Sequence, residues 1–374
     1  MHTNMLTERE LVQYLVQLNL LSNKQIIDGD LFIMDVSRRN RNMKIISEHG
    51  PCYFIKQGVD RGRFETVASE ARFYELFLHL RNNSFDHYLP HYRNYDTKHG
   101  ILILELVSEV WNLGEYYEQF GHFPISIATE IGKALSILHC IPLGGEDMSE
   151  WNQSLVRDPP FTFSLHHPDV RMLRRLSSTS VQMIKIIQRF PDFTDLLDKL
   201  REEWRRERLI HFDLRWDNFI CLLPSGDKRK LALKIIDWEL ACIGDPCWDI
   251  GSVFAAYLGS WLFSIPITGG TPVERFAELA RFPLDRMQPA IRSFWQSYVR
   301  RMNSNITKPE EWLHRSVRYA AVRLIQTAFE RTQMSMQLTS DIICMLQLSL
   351  NILQRPQEAI ISLLGVPFSE RTLL

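Results

Sequence analysis

The segment His211-Phe-Asp213-Leu-Arg-Trp-Asp-Asn218 sets an imidazole, a carboxylate and a carboxamide within eight residues. A second carboxylate, Asp237, follows 24 positions after Asp213 at the end of the apolar run Leu231-Ala-Leu-Lys-Ile-Ile. Phosphoryl transfer from a nucleoside triphosphate calls for this inventory: one carboxylate to orient a hydroxyl and take its proton, and oxygen donors for Mg²⁺. Mg²⁺ is a hard cation that takes only one or two ligands from protein, and a carboxamide with a carboxylate meets that need. An Asp–Asn loop alone is an ordinary turn. The pair of segments, in this order and with a strand before the second, is far more specific.

These residues resemble the catalytic loop and metal motif of the aminoglycoside phosphotransferase and choline kinase-like family, a branch of the protein-kinase-like fold. That family often carries H-G-D-x-x-x-x-N, then I-D-W or I-D-F, and Gly244-Asp-Pro-Cys-Trp-Asp249-Ile is similar to its G-D-P-x-x-D-L. The likeness spans roughly 25–335 and is sharpest over 209–257. It implies Asp213 as catalytic base, Asn218 and Asp237 as Mg²⁺ ligands, and ATP as donor. It also implies supporting roles for His211, which holds the loop, and for Asp249, which bonds the loop backbone and opens a helix from Ile250. Phe212 stands where the family has Gly, and Trp216-Asp217 where many members have a small residue or Pro followed by Gly. Neither departure removes a catalytic atom. Asp217 reads as an exposed turn residue or as a charge that tunes the metal site or a basic acceptor group.

The elements that must position these groups follow from periodicity. Leu6–Leu21 has the spacing of an amphipathic helix. Residues 30–57 alternate as a meander, with strands over Leu31–Val36, Met43–Ser47 and Cys52–Gln57. Ser37-Arg-Arg-Asn-Arg-Asn42 joins the first two, where a kinase-like lobe covers the phosphates. It has no glycine, so it is either a phosphate-binding loop built on Ser, Asn and Arg or a solvated basic hairpin tip. Lys56, inside an apolar strand, needs a partner, because an unpaired buried ammonium is unfavourable. The resemblance assigns it to the α- and β-phosphates. On the helix Phe64–Leu80, Glu70 shares a face with Phe73, Tyr74 and Phe77 and is the carboxylate placed to pair with Lys56. Gly100–Val107 reads as a buried strand. In the family this segment leads into the hinge, which places adenine at Leu104–Val107 and names Glu105, Leu106 and Val107 as nucleotide-contacting positions.

Helix Ile125–His139 opens the second part of the chain. Residues 145–180 carry Pro pairs and Ser clusters and read as loops beside the acceptor site, with His166 and His167 solvated in a polar stretch. Helices are expected over Val181–Phe190 and Leu196–Glu207, the latter with Trp204 packed inward. Others are expected near 250–263, 286–302, 309–335 and 340–354, with a Gly-Gly-Thr-Pro turn at 269–272. The expected domains are a nucleotide-binding lobe over 1–106 and a catalytic, acceptor-binding lobe over 107–374. The expected fold is α+β: a bilobal protein-kinase-like fold with a small antiparallel-sheet N-lobe and a large, mainly helical C-lobe.

Composition narrows the function. The 374 residues are 45% hydrophobic and 23% charged, with a net charge of −1. That is an ordinary globular balance with no signature of nucleic-acid or membrane-surface binding. Six cysteines lie at 52, 140, 221, 242, 247 and 344 without a C-x-x-C pair, and read as thiols in a reducing compartment. The polar N-terminus lacks an apolar signal core, and the longest apolar stretch, Val253–Ile267, is broken by Gly259, Ser260 and Ser264. A cytoplasmic enzyme is expected. No G-x-x-x-x-G-K-[ST] loop is present, which argues against a P-loop enzyme. The acceptor is expected to be a small hydroxylated metabolite, with a peptide Ser or Thr as second choice. A binding-only pseudokinase is the reading from another class. Whether Glu310, Glu311, Glu330 and the acids near 145–150 converge on an acidic pocket for a polycation is left open, as is the oligomeric state.

Overall fold

The computed structural model describes residues 5–37, 40–80, 84–107, 110–143, 155–222, 232–266, 278–302 and 305–367. The acids near 145–150, the 269–272 turn and two arginines of the 37–42 connection lie outside the described residues. The chain forms two compact units. Unit 1 comprises Met1–Asn112 and Asn218–Ala241, and unit 2 comprises Leu113–Asp217 and Cys242–Leu374.

Unit 1 is built on a five-stranded antiparallel sheet. Its strands are β1 (Leu31–Asp35), β2 (Arg41–Ser47), β3 (Tyr53–Gln57), β4 (Tyr92–Asp96) and β5 (Ile101–Glu105), in the order β1-β2-β3-β5-β4. The register places Lys56 opposite Asn42 on one side and Leu102 on the other. One face of β2, β3 and β5 buries Met43, Ile45, Tyr53, Ile55, Ile101 and Ile103, and the N-terminal helix closes it with Leu11 and Leu15. That helix is Glu8–Gln17, shorter than the pattern over 6–21 suggests. Thr7 and Glu10 form a reciprocal capping box that fixes its start, and the chain turns at Asn19 with φ of 56° before a short helix Asn23–Ile27. Helix Arg61–His79 presents Glu70, Phe73, Tyr74 and Phe77 as one buried face.

The second piece of unit 1 is a hairpin of β8 (Phe219–Leu222) and β9 (Ala232–Ile235), with β6 (Trp111–Asn112) beside β8. The chain after β9 makes a 3₁₀ turn, Trp238–Leu240. Trp238, fully buried, stacks on Phe73 at 4.0 Å and 8° and meets Phe85 edge-on. This seats the segment carrying Asp237 against the helix carrying Glu70.

Unit 2 is mainly helical. Helix Ile125–His139 packs on Leu284–Met302, and Pro246–Phe263 packs on Pro309–Thr332, which in turn packs on Ser340–Gln354. Glycine makes two of these approaches possible: a Cβ on Gly132 would lie 2.4 Å from Phe294 O, and one on Gly251 2.6 Å from Ser316 O. A two-stranded ribbon, β7 (Arg208–Ile210) with β10 (Cys242–Gly244), leads into the 211–217 loop.

Two expected boundaries in unit 2 move. The helix expected over 196–207 is Pro191–Glu202, with Pro at its first turn. The chain then extends into β7, so Trp204 is a loop residue packed among Phe163, Phe212, Trp248 and Tyr319. The charged run Arg205-Arg-Glu-Arg208 has helical propensity, but ladder pairing of 208–210 with 242–244 overrides it. Asp249 does not open the next helix. Asp245 caps it by accepting from Cys247 N at 3.0 Å, Pro246 occupies the first position, and Asp249 falls in the first turn.

Candidate active site

The structure draws Lys56, Glu70 and Asp237 together within unit 1. Lys56 Nζ donates to Glu70 Oε2 at 2.6 Å and to Asp237 Oδ1 at 2.7 Å. Glu70 is 1% exposed, and its Oε1 has no hydrogen-bond partner among the described residues. Burial opposes the charge on Lys56, but Glu70 and then Asp237 outweigh it and hold the ammonium firmly protonated. Burial pushes the Glu70 carboxyl up, Lys56 opposes that, and the Asp237 charge adds to the rise. Asp237 sits in the left-handed region with φ of 69°, a conformation unfavourable for a residue with a Cβ. The stacked Trp238 beside it, whose Nε1 donates to Ile235 O at 2.9 Å, keeps the turn in place.

Asn218 is buried at the start of β8, and its carbonyl accepts from Ile236 N at 3.0 Å. This bond ties the residue before the hairpin to the residue after it, so Asn218 and Asp237 are placed by one short piece of sheet. Glu105 and Leu106 donate their backbone N–H groups to His91 O and Cys52 O, both at 2.8 Å, so these two donors are committed to the sheet. The Glu105 side chain pairs with Arg93 at 2.5 Å.

Asp213 belongs to unit 2, and its setting inverts that of unit 1. Its Oδ1 accepts from Arg215 Nη2 at 2.9 Å and from Arg323 Nη2 at 3.2 Å. Burial alone would raise this carboxyl. Arg323 first, and Arg215 next, outweigh burial and hold it down at about 2. The backbone of Asp213 donates to His211 Nδ1 at 3.3 Å, which leaves the proton of a neutral ring on Nε2. Asp249, fully buried, accepts from His211 N at 2.7 Å and Phe212 N at 2.9 Å, and lies 3.3 Å from His139 Nε2.

Phe212 has φ of 74°, which gives a physical reason for glycine in the related motif. Here the bonds to Asp249 and from Trp248 Nε1 to Phe212 O at 2.7 Å hold a bulky residue in that conformation. Trp216 Nε1 donates to Ala256 O and Ser260 Oγ, and Asp217 is exposed.

Sequence reasoning missed Arg323. It lies 110 positions after Asp213 inside a core helix, among residues that read as packing. A basic residue within the apolar run Tyr319-Ala-Ala-Val-Arg-Leu-Ile was the available signal. His166 differs from the solvated residue expected: it is buried, with its Nε2 3.2 Å from Asp198, while His167 is exposed.

An antiparallel-sheet N-terminal region followed by a mainly helical remainder, with these motifs at these places, defines a protein-kinase-like fold. Solved structures agree. ADP-bound aminoglycoside phosphotransferase APH(2'')-Ib matches with a TM-score of 0.53 at 14% identity, over 93% of this chain and 99% of that one. Choline kinase from Cryptosporidium parvum Iowa II gives 0.54 at 13%, over 94% and 96%. The streptomycin-ATP-APH(2'')-IIa ternary complex gives 0.52 at 14%, over 93% and 99%. No curated protein matches the sequence. The profile of the phosphotransferase enzyme family matches residues 36–289. The chain belongs to that family, and is an enzyme that transfers a phosphoryl group to an alcohol acceptor. All six cysteines are free, and no helix of the described residues is long and apolar enough to cross a membrane.

Proposed function

We propose that the protein transfers the γ-phosphoryl group of Mg·ATP to a hydroxyl of a small metabolite. The observation that carries this reading is the shared lysine: Lys56 holds Glu70 and Asp237 at once. One cation facing two carboxylates leaves negative charge in a half-buried place, and Asn218 adds a carboxamide oxygen. That donor set fits Mg²⁺, with Asn218 and Asp237 as its ligands. What Mg²⁺ supplies there when bound is neutralisation of the charge on the phosphate oxygens.

The remaining roles belong to the chain itself. Lys56 holds the α- and β-phosphates, and Glu70 orients Lys56. The Glu105–Val107 segment receives the adenine through backbone groups other than the two N–H donors already engaged. His211 and Asp249 fix the loop on which Asp213 sits. The acceptor oxygen forms its bond to the γ-phosphorus as the bond from phosphorus to the β–γ bridging oxygen breaks. ADP leaves with that electron pair, and the hydroxyl proton passes to Asp213 and on to solvent. With its carboxyl held at about 2, Asp213 is a weak base at neutral pH. It therefore acts chiefly by orienting the hydroxyl, and takes the proton late, once bonding to phosphorus has made it acidic.

The test incubates the protein with Mg·[γ-³²P]ATP and a fractionated cell extract, beside Asp213→Ala. Label in the small-molecule fraction that the variant fails to produce is the expected result. Asp213-dependent label confined to peptides would replace the metabolite with a peptide hydroxyl. Label equal in both proteins would remove Asp213 from the mechanism.

A further inference from the structure

Unit 2 contains a cavity of about 410 Å³ that ends at the arginines holding Asp213. Its volume falls in the range of small-molecule sites. Trp216, Phe263, Phe282, Leu214 and Leu324 supply apolar walls, and Gly114, Ala255, Ala256 and Gly259 leave the space between them. The Trp216 indole brings no free donor to this space, because its Nε1 is bonded to Ala256 O at 3.1 Å and Ser260 Oγ at 3.0 Å. Phe263 is 42% exposed, with the Arg331 guanidinium 4.6 Å above its ring.

Glu118, Arg215 and Arg323 on the walls are already engaged. Glu118 is taken by Arg281 at 2.8 Å. Arg215 faces Asp213 and also Glu330, whose Oε2 is 3.5 Å away. Arg323 donates to Gln326 Oε1 at 2.8 Å, and to Leu214 O and Asp213 Oδ1 at 3.2 Å. Asp217 is exposed within the field of Arg215. Of the acids considered for a polycation, Glu330 faces Arg215, and Glu310 and Glu311 line a different, polar cleft with Glu202, Glu203, Arg205 and Arg318. Among the described residues, the walls carry two guanidinium groups, aromatic surface, Glu118 committed to Arg281 and exposed Asp217, where several ammonium groups would each need a carboxylate of their own.

The geometry points to an uncharged alcohol with an apolar, ring-sized body as the acceptor class, seated in this cavity with its hydroxyl toward Asp213. This rests on the phosphotransferase reading above and narrows it. The aromatic walls bury the body, the arginines exclude polyamines, and Asp213 takes the one polar group the ligand must present.

Gly259 gives a test outside the charged groups. A Cβ there would meet only the Phe263 ring, at 3.6 Å, an ordinary contact, so a larger side chain extends into the cavity without displacing backbone. The full-length enzyme with Mg·ATP is offered 4-phenylbutan-1-ol, kanamycin and choline. The expected result is a kcat/KM for the aromatic alcohol about tenfold or more above the two cations. Gly259→Leu should raise KM for that alcohol about tenfold with kcat changed much less. Preference for kanamycin or choline overturns the proposal and leaves the phosphotransferase reading intact. So does a KM for the alcohol that Gly259→Leu does not move.

Saturation-transfer NMR of 4-phenylbutan-1-ol with each protein reads binding without turnover. A signal present with the native chain and lost in Gly259→Leu supports the site. A signal in both or in neither overturns it. Binding with this dependence but no transfer to any hydroxyl would sink the phosphotransferase reading and spare the pocket.

Discussion

Units 1 and 2 each hold a buried charge network, with opposite stoichiometry. In unit 1 one cation, Lys56, serves two carboxylates. In unit 2 one carboxylate, Asp213, is served by two guanidinium groups. In the first, two carboxylates compete for one ammonium. The second keeps its carboxylate ionised, while Glu330 shares the Arg215 charge at 3.5 Å. The same side-chain chemistry thus yields two carboxylates sharing one ammonium in one unit and a carboxylate held ionised by two guanidinium groups in the other. The contrast extends to backbone strain. Asp237 and Phe212 both lie at positive φ, the first braced by aromatic stacking, the second by hydrogen bonds to a buried Asp249.

Four substitutions would break or sharpen this contrast. Asp213→Ala should lower transfer by roughly 10²–10⁴-fold while leaving nucleotide affinity near that of the native chain. Steady-state kinetics with equilibrium nucleotide binding checks both, and a matching loss of affinity would contradict the division of labour. Lys56→Met leaves Glu70 buried without its cation, and should lower stability by about 3–5 kcal/mol in urea melts. Burial raises the folded-state pKa of Glu70, and more so without the lysine, so the stability it contributes is present at low pH and is lost as pH rises through that raised value. The Lys56→Met deficit should therefore grow with pH; a deficit that shrinks would mean Glu70 finds another cation.

Arg323→Met should let the Asp213 carboxyl rise from about 2 toward its ordinary value, at a loss of roughly 1–2 kcal/mol at pH 7. A depressed carboxyl contributes stability above its unfolded pKa and loses it as pH falls through the folded one. The difference between variant and native chain should thus be full above about pH 4 and fade near pH 2. Urea melts across that window decide it, and the acid limb of the transfer rate should move upward with it. The smallest effect belongs to unit 1's first helix: Thr7→Ala removes a capping box and should lower stability by about 1 kcal/mol without changing transfer.

Much of this architecture was legible because local chemistry dictates it. The meander, the helix carrying Glu70, the Ile125–His139 helix and the later helices show in periodicity, which is set by which face is buried. The pairing of Lys56 with Glu70 was legible because each is a charge on an apolar face, and such charges must be matched. Boundaries were less legible where ladder pairing or capping decided them, as at Glu202 and at Asp245 rather than Asp249.

What the sequence determined by itself is the set of groups: the Asp213, Asn218 and Asp237 motifs, the buried lysine and its carboxylate. Side-chain type and local spacing carry that information. Three things were left to the tertiary structure. Asp237 joins Lys56 across 181 positions, Arg323 joins Asp213 across 110, and the 218–241 hairpin belongs with the N-terminal sheet. So too with the cavity of unit 2, whose walls come from segments as far apart as Gly114 and Thr327. Periodicity records that a residue is buried, not what it is buried against. The balance of charge at each site is fixed only when distant elements pack.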